Sequence, residues 1–176
     1  MKLLSKQTLF GRFSCVSKQS MDAEKPSTTI CTVISIDHNS LFYTVCSLCE
    51  KTLPEPNTHC NYCTNNGVVT STTQTKRLFR VLMSLATDTK VFVVVLFDRA
   101  ARVLFGCSAQ EFFHFTNIHP FSGETASKIV EGEMLRVTLS KPKNGNAQHH
   151  RVVSLVPLKS GFRPLLDTLT QLYGIL

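Results

Sequence analysis

Cys46-Ser47-Leu48-Cys49, ten intervening residues, then Cys60-Asn61-Tyr62-Cys63: this spacing constrains the chain more than any other feature in it. A CxxC turn points two sulfurs at one spot, and two such turns supply four tetrahedral ligands. A segment this short cannot build an apolar core of its own, and a bound metal replaces one. The expectation is one structural zinc ion held by Cys46, Cys49, Cys60 and Cys63. A closed set of four thiolates leaves no open position for water, which argues against hydrolytic chemistry at the metal. Four unligated thiols or a redox-active pair is the competing reading, and two pairs in register argue against it. His59 adjoins a ligand and is expected outside the set, because Cys60 completes the pattern.

The chain has 176 residues and seven cysteines, an odd number that does not suit a secreted disulfide framework. Cys15, Cys31 and Cys107 stand alone and read as reduced, buried thiols. That suits a nuclear, cytosolic or organellar interior. The longest apolar run covers residues 91–97, seven in all. It suits a buried strand and falls far short of a membrane span, so no membrane partner is expected. The net charge is +7, with a pI near 9.2. Such a balance favours polyanionic partners such as nucleic acid, although a solvated surface also accounts for it.

Residues 1–26 carry Lys2, Lys6, Arg12 and Lys18, with no acid before residue 21 and serine recurring. This reads as a basic arm or as an organelle transit peptide. Residues 28–36 and 41–45 read as strands joined by a turn at 37–40. Pro54 and Pro56 keep the segment between the cysteine pairs irregular. A polar, threonine-rich run covers residues 70–75. Residues 77–86 then alternate. Phe79, Val81, Met83 and Leu85 share one face, taken as the interior, and Arg80, Leu82 and Ser84 share the other. Residues 90–97 complete a hairpin.

Asp98 is expected to cap a helix over 99–105, with Gly106 at its end. Ser108 to Glu111 has the capping-box pattern and opens a short helix carrying Phe112, Phe113 and Phe115. A loop is expected around Pro120, Ser122 and Gly123. Strands follow at 134–140 and 148–158, joined at the turn signal Asn144-Gly145. A helical stripe at the end places Leu165, Leu166, Leu169, Leu172 and Tyr173 on one side.

This order of elements predicts an all-β dominated chain. Residues 27–160 form an OB-fold Greek-key barrel with the zinc ribbon inserted at 44–66, and residues 161–176 form a C-terminal amphipathic helix. The two CxxC pairs, the run from Arg77 to Leu85 and the run from Val93 to Ala109 together resemble the zinc-containing, carboxy-terminal OB domain of the large subunit of replication protein A. The resemblance covers about two thirds of the chain. It implies single-stranded DNA binding in replication, repair or recombination, with RNA as the alternative ligand, and it points to the nucleus. In that family a helix after this domain helps assemble a trimer. The stripe at Leu165 to Tyr173 therefore reads either as a partner helix or as a helix packed on its own barrel.

Sequence-independent binding of a single strand needs cations along the backbone and aromatic faces for the bases. Lys76, Arg77, Arg80 and Lys90 are the expected cations and Phe92 the expected stacking residue, with Phe97 assigned to the core. His149, His150 and Arg151 read as an exposed strand start. The chain has no Trp and no evident pair of stacking aromatics. That keeps open a second reading, a protein-interaction scaffold that retained the fold and binds nucleic acid weakly or not at all. No GxSxG, P-loop or HExxH pattern occurs, so an enzyme is not expected.

Overall fold

The computed structural model describes residues 25–54, 59–65, 75–142 and 148–175. Most of the basic arm, Cys15, Pro56, the threonine-rich run before Thr75 and the Asn144-Gly145 turn lie outside the described residues. The strands are β1 (Ser27–Ile36), β2 (Phe42–Cys46), β3 (Thr75–Ala86), β4 (Val91–Phe97), β5 (Met134–Ser140) and β6 (His150–Pro157). The helices are α1 (Asn61–Asn65), α2 (Asp98–Phe105), α3 (Ala109–Ile118), α4 (Ser122–Val130) and α5 (Leu165–Leu172).

Five strands close into a ring in the order β1-β5-β6-β4-β3, with β3 pairing back to β1. The β4–β6 pair is parallel, and the other pairs are antiparallel. β3 is long enough to serve two neighbours: its first half pairs with β2, from Cys46↔Thr75 to Phe42↔Phe79. Its second half pairs with β1. β2 therefore lies outside the ring as an extension of one wall, and the cysteine segment hangs from it.

The alternation read in the sequence decides the interior. Phe79, Val81, Met83 and Leu85 of β3, Val94 and Leu96 of β4, and Leu135 and Val137 of β5 are wholly enclosed. One end of the ring is closed by rings from three elements. Phe79 stacks on Phe105 at 4.5 Å between centroids, and Phe105 meets Phe112 edge-on at 4.7 Å. Phe115 and Phe42 extend the cluster.

α2 ends at Gly106, whose φ of 72° is left-handed. A Cβ there would lie 2.3 Å from Cβ of Pro164, so only glycine lets the start of α5 come this close. α3 begins with the expected capping box. Two local expectations need correction. Asp98 is the first residue of α2 rather than its cap. Its carboxylate accepts Arg102 Nε–H at 2.7 Å and the backbone N–H of Phe79 at 3.4 Å, which ties the helix to β3. The expected loop at Pro120 to Gly123 is also shorter, because Ser122 opens α4. α4 is fixed to the barrel by Ser127, whose hydroxyl donates to the Ile36 carbonyl and accepts the Ile36 N–H, both at 3.1 Å.

Candidate metal centre and nucleic-acid face

The metal centre starts from the end of β2. Cys46 closes that strand, and the chain turns at once: Glu50 N–H donates to the Cys46 carbonyl at 2.9 Å, and Cys46 N–H donates to that of Lys51 at 2.9 Å. Glu50 sits at φ 58°, the left-handed conformation that lets so tight a turn reverse. Cys60 and Cys63 are brought in by α1, whose first turn places sulfurs three residues apart on one side. The four sulfurs all lie within 4.8 Å of one another. Cys46 and Cys63 Sγ are 3.7 Å apart, and Cys49 and Cys60 Sγ are 3.5 Å apart. Zinc–thiolate bonds of about 2.3 Å in a tetrahedron put sulfurs roughly 3.8 Å apart. The quartet therefore has the geometry to hold one metal ion.

The electrostatics agree. Backbone N–H groups of Cys49 and Leu48 point at Cys46 Sγ and draw that thiol down to about 7. Burial instead pushes the Cys63 thiol up to about 12. A divalent ion would make four thiolates compatible in one place.

The knuckle also touches the barrel wall. Glu50 pairs with Lys76, the cross-strand neighbour of Val45. Lys51 lies over the Tyr62 ring, with Nζ 3.3 Å from its centre.

Beside this centre is the outer face of β2, β3, β4 and β6. The even residues of β3, Lys76 to Ser84, point outward there. Arg80 pairs with Phe97 of β4, and Val95 pairs with Arg151 of β6. Tyr43 of β2 meets Phe97 edge-on with centroids 6.3 Å apart, and the Arg151 guanidinium lies 4.9 Å from the Phe97 ring centre. Burial pushes the Tyr43 hydroxyl up from its ordinary value, with Asp98 adding to the rise and Arg151 opposing it. Two aromatic rings thus sit among Arg80, Arg151 and Lys76 on one solvent-facing surface.

The predicted site residues divide. Lys76 and Arg80 lie on this face. Arg77 has the opposite parity and lies over the Phe113 ring of α3 at 3.6 Å. Lys90 closes the far turn of the hairpin, bonded through its backbone to Thr87. Phe92 shares the parity of Val94 and Leu96 and packs against the core, and Phe97 carries the outward parity. The two phenylalanines of β4 therefore exchange the places expected of them. Tyr43 and Phe97 form an aromatic pair on this face that is not among the expected site residues. Tyr43, at an outward position on a strand leading into the metal site, was the available signal.

No family model matches the sequence, and no curated protein matches it. Solved structures do match. A chain of a replication protein A heterotrimer bound to ssDNA matches with a TM-score of 0.61 and 20% identity, over 86% of this chain and 35% of that one. A chain of yeast RPA bound to ssDNA matches with a TM-score of 0.61 and 16% identity, over 97% of this chain and 100% of that one. The present chain therefore spans about a third of the first of these and all of the second. The fold is a replication protein A-like OB-fold.

In this OB-fold the ring is the barrel, β2 and α1 carry the cysteine cluster, and α2 to α4 fill the connection between β4 and β5. The C-terminal stripe is split. Leu165 and Leu169 are wholly buried, and Leu166 packs partly against the core. Leu172 is exposed. Tyr173 also reaches solvent, while its ring lies against Phe115 and His119 at 5.9 and 4.9 Å.

Proposed function

We propose that this chain is a single-stranded DNA-binding OB module of DNA replication, repair or recombination, with one structural zinc ion and no catalytic role. The observation that carries the reading is the Tyr43–Phe97 pair flanked by Arg80 and Arg151 on the outer face of β2, β3, β4 and β6. Bases stack on the two rings. Arg80, Arg151 and Lys76 neutralise the phosphates beside them. The solved structures of like fold contain ssDNA, which supports the same class of ligand here. The knuckle holds the end of β2, and so fixes Tyr43 three residues before the first ligand. Zinc suits a closed set of four thiolates better than any hard cation does. The nucleus is the proposed compartment, with the basic arm as the element to test for organelle delivery. Leu172 and Tyr173 are the part of the C-terminal stripe left for a partner helix.

The test is fluorescence anisotropy of the zinc-loaded chain with a short pyrimidine ssDNA, the matching RNA and a duplex, across salt. The expected order puts ssDNA first, with affinity falling steeply as salt rises. Arg80→Glu should weaken ssDNA binding about tenfold or more while leaving the melt unchanged. Unchanged affinity in that variant would remove the face, and absence of binding at low salt would favour the scaffold reading.

A further inference from the structure

The ring has a second outer wall, formed by β1, β5 and the end of β6, and its side chains differ in kind from those beside the metal. Register sets them in rows across the three strands. Ile30 pairs with Arg136, and Arg136 pairs with Val156. In the next row Thr32 pairs with Met134, and Leu158 N–H donates to the Met134 carbonyl at 2.9 Å. Alternation turns this set outward, because Cys31, Leu135 and Leu155 beside them along the strands are buried.

Ile30, Met134 and Val156 are each 50% exposed, and Leu158 is 36% exposed. A lone apolar side chain on a surface needs no explanation, but adjoining ones on three neighbouring strands mark a surface that another molecule covers. The rim is polar. Thr28 and Thr138 share a hydrogen bond at 3.0 Å in the row beyond Ile30. At the other end Lys159 Nζ donates to the Glu133 carboxylate at 3.1 Å. An apolar centre inside a polar rim is the usual anatomy of a protein interface.

Arg136 selects the occupant. It stands exposed between Ile30 and Val156 and has no ion-pair partner among the described residues. A nucleic-acid single strand does not suit this wall, whose rows offer one cation and no aromatic ring. A second copy would bring like charges together, since Arg136 lies in the middle of the patch, where a two-fold axis sets a residue against itself. Residues 1–20 of the same chain are basic and carry no acid, so they meet the same repulsion. A carboxylate is the group that matches, and an open sheet face is commonly covered by a helix.

We propose that this wall docks an amphipathic helix of a partner protein. Its aliphatic stripe lies over Ile30, Met134, Val156 and Leu158, and an Asp or Glu at the edge of the stripe pairs with Arg136. β1 and β5 carry none of the residues proposed to meet nucleic acid, so helix docking and ssDNA binding can be lost separately.

The experiment is a selection against the zinc-loaded chain from a phage-displayed helical scaffold with one helix face randomised. Enriched helices are synthesised as peptides and measured by fluorescence anisotropy. They should combine aliphatic residues at helical spacing with Asp or Glu. Arg136→Glu should weaken their binding about tenfold or more, and exchanging the peptide's acid for Lys should restore it. Ile30→Thr should weaken binding several-fold. Both variants should keep the parental melt and the parental ssDNA affinity. Failure to enrich any helix, enrichment of helices without an acid, or binding indifferent to Arg136→Glu and Ile30→Thr overturns the proposal. So does dimerisation of the parent chain that Ile30→Thr abolishes, read by sedimentation, because a second copy would then be the occupant.

Discussion

In the barrel, Phe79, Phe105, Phe112 and Leu96 are enclosed by other apolar side chains on every side; in the segment from β2 to α1, the buried cluster among the described residues is Cys46, Cys60, Cys63 and Leu53. The first region has the material of a hydrophobic core. The second has three buried thiols and one leucine, which cannot offset the chain entropy of ordering such a loop. One region is held by burial and the other by ligation. The same chain thus contains two stability problems with separate solutions, meeting at β2.

The largest effect should come from breaking the ligation. Cys63→Ala removes a buried ligand and should abolish stoichiometric metal binding. Metal binding of such quartets carries about 10–16 kcal/mol in isolated zinc-finger peptides. Order should be lost at Cys46–Cys49 and in α1 while the barrel's cooperative melt survives, read by metal analysis and circular dichroism together. Loss of the whole melt would mean that the two regions are one unit.

Next is the core itself. Phe105→Ala should cost about 3–5 kcal/mol in denaturant unfolding, because the ring stacks on Phe79 and meets Phe112. It should leave metal content at one ion per chain. The two variants together sharpen the contrast, since each should damage one region and spare the other.

The junction gives a third effect. Tyr43→Ala should weaken ssDNA binding by about 1–3 kcal/mol, the usual worth of a base–aromatic contact, measured by anisotropy against the parent chain. Equal affinity would show that β2 serves only to carry the metal site.

The smallest effect belongs to a helix end remote from the metal. Ser108→Ala should cost about 1 kcal/mol, read by denaturant midpoint. The Ser108 hydroxyl and N–H hold the Glu111 carboxyl below its ordinary range. A depressed carboxyl stabilises the fold above its unfolded pKa, and that stability is lost as pH falls through the folded pKa. The gap between parent and variant should therefore close in acid.

Much of the barrel was legible because its strands alternate. β3 shows Phe79, Val81, Met83 and Leu85 at every second place, and β5 matches its expected span of 134–140. The cysteine quartet was legible because ligand spacing is a local property. β4 was not legible in phase: Val91 to Phe97 is apolar throughout, so period two cannot say which residues face inward. Only the pairing of Arg80 with Phe97 fixes it. That one ambiguity sent Phe92 to the proposed face and hid Phe97 from it.

α4 is illegible in the sequence for another reason. Its buried face rests on Ala126 and Val130 with Ser122, too few apolar residues for a visible stripe, and Pro120 and Gly123 read as a turn. Arg77 adjoins the other cations in sequence, yet one residue of strand moves it to the opposite face, over the Phe113 ring.

The most direct measurement pairs metal content with amide hydrogen exchange before and after chelation. One ion per chain is predicted at the start. On chelation, protection should fall in Phe42–Cys46 and around α1, and it should persist in the ring strands, β3 and β4 above all. A chain without stoichiometric metal, or one whose exchange near Cys46 and Cys60 is indifferent to the chelator, would contradict the account.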